Sequence, residues 1–224
     1  MKRPIIAIDG PSGAGKGTIA RTLARTLEYR HVDTGAMYRA VGWKAVQEGV
    51  PLDDEPRVAA LADGARIDVE SDVVRVDGLD VTRAIRTPEI DAASTAVARL
   101  PKVREILVAR QRELGEGGGV VMEGRDIGTV VFPDADLKIY LDASAEERTR
   151  RRLHDTAHTG GQAGHAAVAA AIDSRDKSDT TRTASPLAVA SDALRVDTTG
   201  MSIDQVVAHV LSLVRARLWD IHDS

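Results

Sequence analysis

An α/β domain on a mostly parallel sheet is the architecture this sequence predicts, and three observations carry it. Short aliphatic runs alternate with longer amphipathic stretches along most of the chain, the order that lays helices on both faces of a parallel sheet. The first run, Ile5–Asp9, passes straight into the glycine-rich Gly10-Pro11-Ser12-Gly13-Ala14-Gly15-Lys16-Gly17-Thr18 and then into helical spacing. A period-two stretch at residues 66–81 interrupts the alternation as a small antiparallel patch beside the main sheet. A chain of 224 residues holds one such domain with insertions, or two small ones.

Taken in order, Ile5–Asp9 reads as a buried strand, and apolar residues at 19, 20, 23, 24 and 27 place a helix after the loop. Strand, glycine loop with lysine, then helix is the context that makes a phosphate-binding P-loop. Gly10, Gly13 and Gly15 let successive N–H groups turn inward, and Lys16 adds a full charge to the partial charge of the helix start. The strict motif places Ser or Thr directly after the lysine; here Gly17 intervenes and the hydroxyl is Thr18.

A second strand, Tyr29–Asp33, ends in Thr34-Gly35, with Thr34 as a helix cap, and a helix runs from Ala36 to Glu48. An acidic loop at Pro51–Pro56 leads to a short helix, Arg57–Ala65. Arg66–Glu70 and Val73–Asp77, separated by Ser71-Asp72 and followed by Gly78–Val81, form the hairpin or three-stranded patch. Helices at Pro88–Ala98 and Pro101–Leu114 both open on proline. Gly115–Gly119 is a flexible break before the strand Val120–Glu123, and Leu137–Leu141 is the next strand. Ser144 with Glu147 forms a capping box for a helix bearing Arg148, Arg150, Arg151 and Arg152. That helix fades into the polar loop 159–164; Val168–Arg175 is helical and Ala193–Asp197 a last strand. Ser202 and Gln205 start a final helix to about Trp219.

Ligands of parallel sheets sit beyond the carboxyl ends of the strands. The P-loop, Asp33-Thr34-Gly35, Gly124-Arg125-Asp126 and Asp142 all follow strand ends and are expected on one rim. The Arg148–Arg152 helix starts on that rim and feeds a loop, as a closing lid would, with one or two of its arginines reaching a bound triphosphate. The six histidines are dispersed, with no metal spacing and no nucleophile triad. A phosphate-ester acceptor is mostly a dianion at neutral pH and needs no general base, so arginines and a P-loop suit phosphate-to-phosphate transfer.

Composition narrows the setting. A hydrophobic content of 43% and charged content of 29% are those of a globular protein, and no apolar run approaches the roughly 20 residues of a membrane span. Without cysteine or a signal-peptide core, the cytoplasm is the expected location. A net charge of −4 argues against nucleic acid as a partner, although arginine far outnumbers lysine and local anion sites are expected. A guanine-reading Asn-Lys-x-Asp motif is impossible in a chain without asparagine, which removes the GTPase switches. A P-loop kinase acting on a metabolite hydroxyl remains a competing class and would call for a carboxylate base near the loop.

Beyond the P-loop, DTGAMYRA at Asp33–Ala40, EGRDIGTVVFPDA at Glu123–Ala135, LDASAEER at Leu141–Arg148 and RDKSDTTR at Arg175–Arg182 complete a set. With GPSGAGKGT at Gly10–Thr18, it closely resembles bacterial cytidylate kinases, which are P-loop nucleoside monophosphate kinases. The resemblance covers nearly the whole chain, and Gly17-Thr18 after the lysine is a feature of that group. It implies a three-layer fold with a central five-stranded parallel sheet. The core would be 1–60, 84–147 and 166–224, with a CMP-binding insert at 61–83 extending towards 100 and a mobile helical lid at 148–165.

It implies ATP on Gly10, Pro11, Ser12, Gly13, Ala14, Gly15, Lys16, Gly17 and Thr18, with Arg148 and Arg151 from the lid. Mg²⁺ would accompany ATP, with Thr18 reaching it directly or through water. Arg39, Arg125 and Arg182 would grip the CMP phosphate, Arg175 and Asp179 would contact the ribose, and Thr34 would also bind CMP. Asp126, Arg104 and the hydroxyl of Thr95, with Ser94 as its competitor, would face the cytosine, whose N4 amino group suits a carboxylate. Lys16, Arg125, Arg151 and Arg182 would be the catalytic residues. The reaction implied is ATP-dependent phosphorylation of CMP and dCMP by a monomer, a UMP/CMP or broader monophosphate kinase being the alternative.

Overall fold

The computed structural model describes residues 3–70, 73–155 and 164–218. The first half runs β1 (Arg3–Asp9), α1 (Lys16–Leu27), β2 (Arg30–Asp33), α2 (Thr34–Gln47) and α3 (Glu55–Gly64). Strands β3 (Ile67–Glu70), β4 (Val73–Val76) and β5 (Leu79–Asp80) follow, then α4 (Pro88–Val97) and α5 (Pro101–Gly115). The second half runs β6 (Gly118–Gly124), β7 (Leu137–Asp142), α6 (Ala145–Leu153), α7 (His165–Thr181), β8 (Leu194–Asp197) and α8 (Ile203–Leu218).

Five strands form one sheet in the order β2-β6-β1-β7-β8, with every neighbour parallel. Side chains alternate across a strand, and β1 shows why its run is apolar throughout. Ile6 and Ile8 pack with α1, α8 and Val196 on one face. Ile5 and Ala7 pack with Val108, Val120, Met122 and Ile127 on the other. Both faces are covered, so neither set can be polar.

The antiparallel sheet β3-β4-β5 stands apart from the parallel one. Its Val69, Val74 and Val76 share a core with α2, α3, α4 and Leu107 of α5. Register fixes the rim of the parallel sheet: Asp33 lies opposite Glu123, Asp9 opposite Gly124 and Tyr140, and Asp142 opposite Asp197. The strand ends expected on one rim are therefore on one rim.

Several boundaries differ from the sequence expectation, each for a local reason. Helix α2 starts at Thr34, and its cap is Asp33, whose carboxylate accepts from Ala36 N at 3.1 Å. Helix α3 takes in Glu55 and Pro56, since proline is tolerated in a first turn and Asp54 caps it. Gly118 and Gly119 belong to β6 rather than to a break, because Gly118 lies directly against the Arg3 carbonyl of β1. Helix α7 continues past Arg175 to Thr181. A five-residue π-helical turn at Ile127–Val131 had no counterpart in the expected elements. Residues 71–72, the loop 159–164 apart from Gly164, and Trp219 lie outside the described residues, as does the middle of the expected lid. Among the described residues, no helix is long and apolar enough to cross a membrane.

Candidate active site

The loop between β1 and α1 is shaped by close approach. A Cβ at Gly10 would lie 2.0 Å from the Leu141 carbonyl oxygen, so only glycine lets the loop leave β1 against β7. Gly15 caps α1 in the left-handed conformation (φ 90°) and has no side chain to bond the first-turn N–H groups. Those donors and the helix dipole are then left for an anion. Lys16 is buried at the start of α1, and its Nζ donates to the Pro11 carbonyl at 2.8 Å. Burial, with Arg125 and Arg175 nearby, pushes its pKa down to about 7 against the opposing pull of Glu123 and Asp179.

Across the rim, Asp9 organises the segment after β6. Its carboxylate accepts from Ile127 N at 2.9 Å and Gly128 N at 2.7 Å, which pins the π-helical turn and with it Gly124-Arg125-Asp126. Burial pushes Asp9 up to about 6, although these two N–H groups pull the other way. Asp126 is buried and takes Arg104 Nη2 at 2.5 Å, with Arg182 Nη2 at 3.7 Å. Arg125 Nε meets Asp179 at 2.8 Å, and Arg182 Nη1 meets the other oxygen of Asp179 at 3.4 Å. Burial works against the charge on Arg125, but Asp179 outweighs it and holds that pKa above the ordinary value. Arg175, one turn before Asp179 on α7, is pushed down to about 10 by burial and by the charges of Arg39 and Arg125. Each arginine raises the cost of the next, which is the electrostatic signature of a site built for anions.

These groups open onto one cavity of about 700 Å³. Ser12 to Thr18, Thr34, Arg39, Thr95, Arg104, Arg125, Asp126, Arg151, Arg175, Asp179 and Arg182 all line it. Gly10, Pro11 and Arg148 do not. Arg148 stands behind the P-loop, donating to Ala143 O and Ser12 O at 3.1 Å each and pairing with Asp176. Arg151 lines the cavity but is engaged with Ala14 O at 3.3 Å, Thr198 Oγ1 at 2.8 Å and Glu147 at 2.8 Å. In this arrangement both arginines of α6 hold the back and shoulder of the P-loop. The Ser94 and Thr95 hydroxyls both donate to the Asp91 carbonyl at 2.9 Å and both line the cavity.

Sequence reasoning missed Asp9, Asp91, His31, Tyr38 and Glu123 as parts of the site. Glu123 carried a usable signal, since it ends a strand beside the P-loop strand. It is buried, bonds His31 Nε2 at 3.0 Å, and lies 3.2 Å from where a Cβ of Gly17 would be. Tyr38 lies under the Arg104 guanidinium, with 5.2 Å from Arg104 Cζ to its ring centroid. Its position on the buried face of α2 was readable, but its partner was not.

The model of the family described as cytidylate kinase matches residues 6–216 of this chain. The chain belongs to the cytidylate kinase family. A cytidylate kinase of Desulfitobacterium hafniense is 50% identical over 217 residues, covering 95% of this chain and 94% of that one. The cytidylate kinase of Pelotomaculum thermopropionicum is 49% identical, with 95% and 96% covered. A bifunctional pantoate ligase/cytidylate kinase of Synechococcus is 45% identical over 97% of this chain, which spans 41% of that longer protein. Among solved structures, a gluconokinase of Sinorhizobium meliloti superposes with a TM-score of 0.54 at 14% identity, covering 100% of this chain and 98% of that one. That likeness is one of fold alone.

The donor set also bears on a cation. Among the described residues no three His, Asp or Glu side chains gather as a metal cage. The exposed Thr18 hydroxyl and the Glu123 carboxylate at the cavity are hard oxygen donors. A hard divalent cation that arrives on phosphates and keeps most of its water fits such a sparse set, and a cation needing an all-protein cage does not.

Proposed function

We propose that this chain transfers the γ-phosphoryl group of ATP to CMP, and to dCMP, giving ADP and the cytidine diphosphate. An oxygen of the CMP phosphate attacks the γ-phosphorus as the bond to the bridging oxygen of ADP breaks, and no proton has to be removed first. The observation that carries the reading is the convergence of Arg39, Arg125, Arg175 and Arg182 with Lys16 on one cavity. Five cations from four distant segments match two phosphate groups meeting in line, and a hydroxyl acceptor would not need them.

The P-loop N–H groups and Lys16 hold the β- and γ-phosphates, while Arg125 and Arg182, steered by Asp179, receive the acceptor phosphate. Arg39 joins them, and Thr34, whose hydroxyl donates to the Glu123 carbonyl at 2.7 Å, keeps the turn below it in place. Arg175 and Asp179 lie where the ribose would pass. Asp126, fixed by Arg104, accepts the cytosine amino group, and Thr95 or Ser94 completes that end. Mg²⁺, held through Thr18 and Glu123 and by water, would neutralise phosphate charge when bound. Arg148 and Arg151 brace the P-loop in the state described here, and Arg151 is placed to turn onto ATP. The chain would work as a monomer in the cytoplasm. Residues 1–60, 84–147 and 166–224 would act as the core, 61–83 as the insert and 148–165 as the lid.

One assay tests this: ADP release from ATP and Mg²⁺ with CMP, dCMP, UMP, AMP or shikimate as acceptor. CMP and dCMP should be used with the highest kcat/KM. A preference for UMP, AMP or shikimate would overturn the substrate assignment.

A further inference from the structure

One carboxylate just behind the cavity wall pairs with three arginines that line the cavity. Asp91 lies in the first half of α4, a helix that carries none of the P-loop or rim residues. Its Oδ1 takes Arg39 Nε of α2 at 3.1 Å and Arg175 Nη1 of α7 at 3.4 Å, and its Oδ2 takes Arg152 Nη2 of α6. Three helices that no backbone pairing connects are thus tied to a fourth through a single acidic group. All four side chains are largely buried, at 16–21% exposure.

The charge count is informative. With Asp155 Oδ2 at 3.9 Å from Arg152 Nη1, two carboxylates are set against these three guanidinium groups, and the cluster can still accept a further anion such as a phosphate. Without Asp91, Arg39, Arg152 and Arg175 would face one another across a low-dielectric cleft, where like charges repel strongly. With it they are gathered, but Arg39 and Arg175 each spend a donor on an internal anion.

We propose that Asp91 is an internal counter-ion that keeps Arg39, Arg152 and Arg175 gathered in the substrate-free site and competes with the acceptor phosphate for them. It is a positioning residue that sets acceptor affinity through the phosphate and not through the base. The inference rests on the reading that these arginines receive a nucleoside monophosphate. Substrate binding would then exchange partners: the phosphate takes Arg39 from Asp91, and α2 and α4 lose one of their ties. A purely structural ion pair makes the opposite prediction, because its loss can only disorder the arginines and weaken binding.

Titration calorimetry of CMP and of cytidine against the wild-type chain and Asp91→Asn separates the two. The amide keeps the shape and removes the competing charge. Its Kd for CMP should fall about tenfold, equivalent to ~1.4 kcal/mol, while cytidine should bind as weakly as it does to the wild type. CMP affinity that is unchanged or weaker in the variant overturns the proposal, as does an equal shift for cytidine. Should the amide variant not fold, Asp91→Thr, also neutral and suited to an early helical turn, gives the same comparison. A wild-type chain that binds no CMP overturns the substrate reading and this proposal with it. Wild-type binding without a gain in the variant overturns this proposal alone.

Discussion

The buried lysine at the start of α1 is held partly uncharged, and that has a measurable consequence. Lys16 has a folded pKa of about 7, against the ordinary 10.5 of an unfolded lysine. Between those values the unfolded chain binds more protons, so in the absence of ligand this group makes the fold more stable as pH rises through that window. Nucleotide phosphates restore the charge, so ATP binding at about pH 8 should take up close to one proton, and less at about pH 6. Binding enthalpies measured in buffers of different ionisation heat would report the uptake; no buffer dependence would contradict it. Asp126 permits a second prediction. Asp126→Asn keeps an acceptor for Arg104, whose bond is 2.5 Å, but offers uracil a donor. The kcat/KM ratio of CMP over UMP should drop by about one to two orders of magnitude, and a ratio that holds would remove Asp126 from base recognition.

Among the elements, strands and helices were legible where pattern alone decides them. The double-sided burial of β1 writes itself as Ile-Ile-Ala-Ile, and Ser144 with Glu147 marked the start of α6, where Ser144 Oγ accepts from Glu147 N at 3.2 Å. The π-helical turn after β6 was not legible. Its geometry is set by Asp9, more than a hundred residues earlier in the chain, whose carboxylate gathers two N–H groups that no local pattern links to it. Asp9→Ala leaves both donors buried and unpaired. It should cost about 2–4 kcal/mol in urea unfolding and should raise KM for CMP by misplacing Arg125 and Asp126. A loss below about 0.5 kcal/mol would show that the turn holds itself. Helix α7 was read short because Lys177, Ser178 and Asp179 break its apolar spacing. They are helical nonetheless, since Asp179 is buried by its pairing with Arg125 and Arg182 rather than by hydrophobic contact.

At the scale of the molecule, the active site is a junction of one sheet rim, an arginine-bearing set of helices and a second core built around the antiparallel patch. The sequence by itself determined the α/β class, the parallel sheet, the P-loop and the family. These rest on periodicity, glycine placement and short motifs, which are properties of neighbouring residues. It also named most of the charged residues that line the cavity, because the motifs carry them. The tertiary structure alone decided who pairs with whom. It joined Arg104 to Asp126 and Arg125 to Asp179. It turned Arg148 behind the loop and brought three arginines from three helices onto Asp91. The physical reason is that a charge's partner is fixed by distance in space and by exclusion of water, and neither is set by neighbours in sequence.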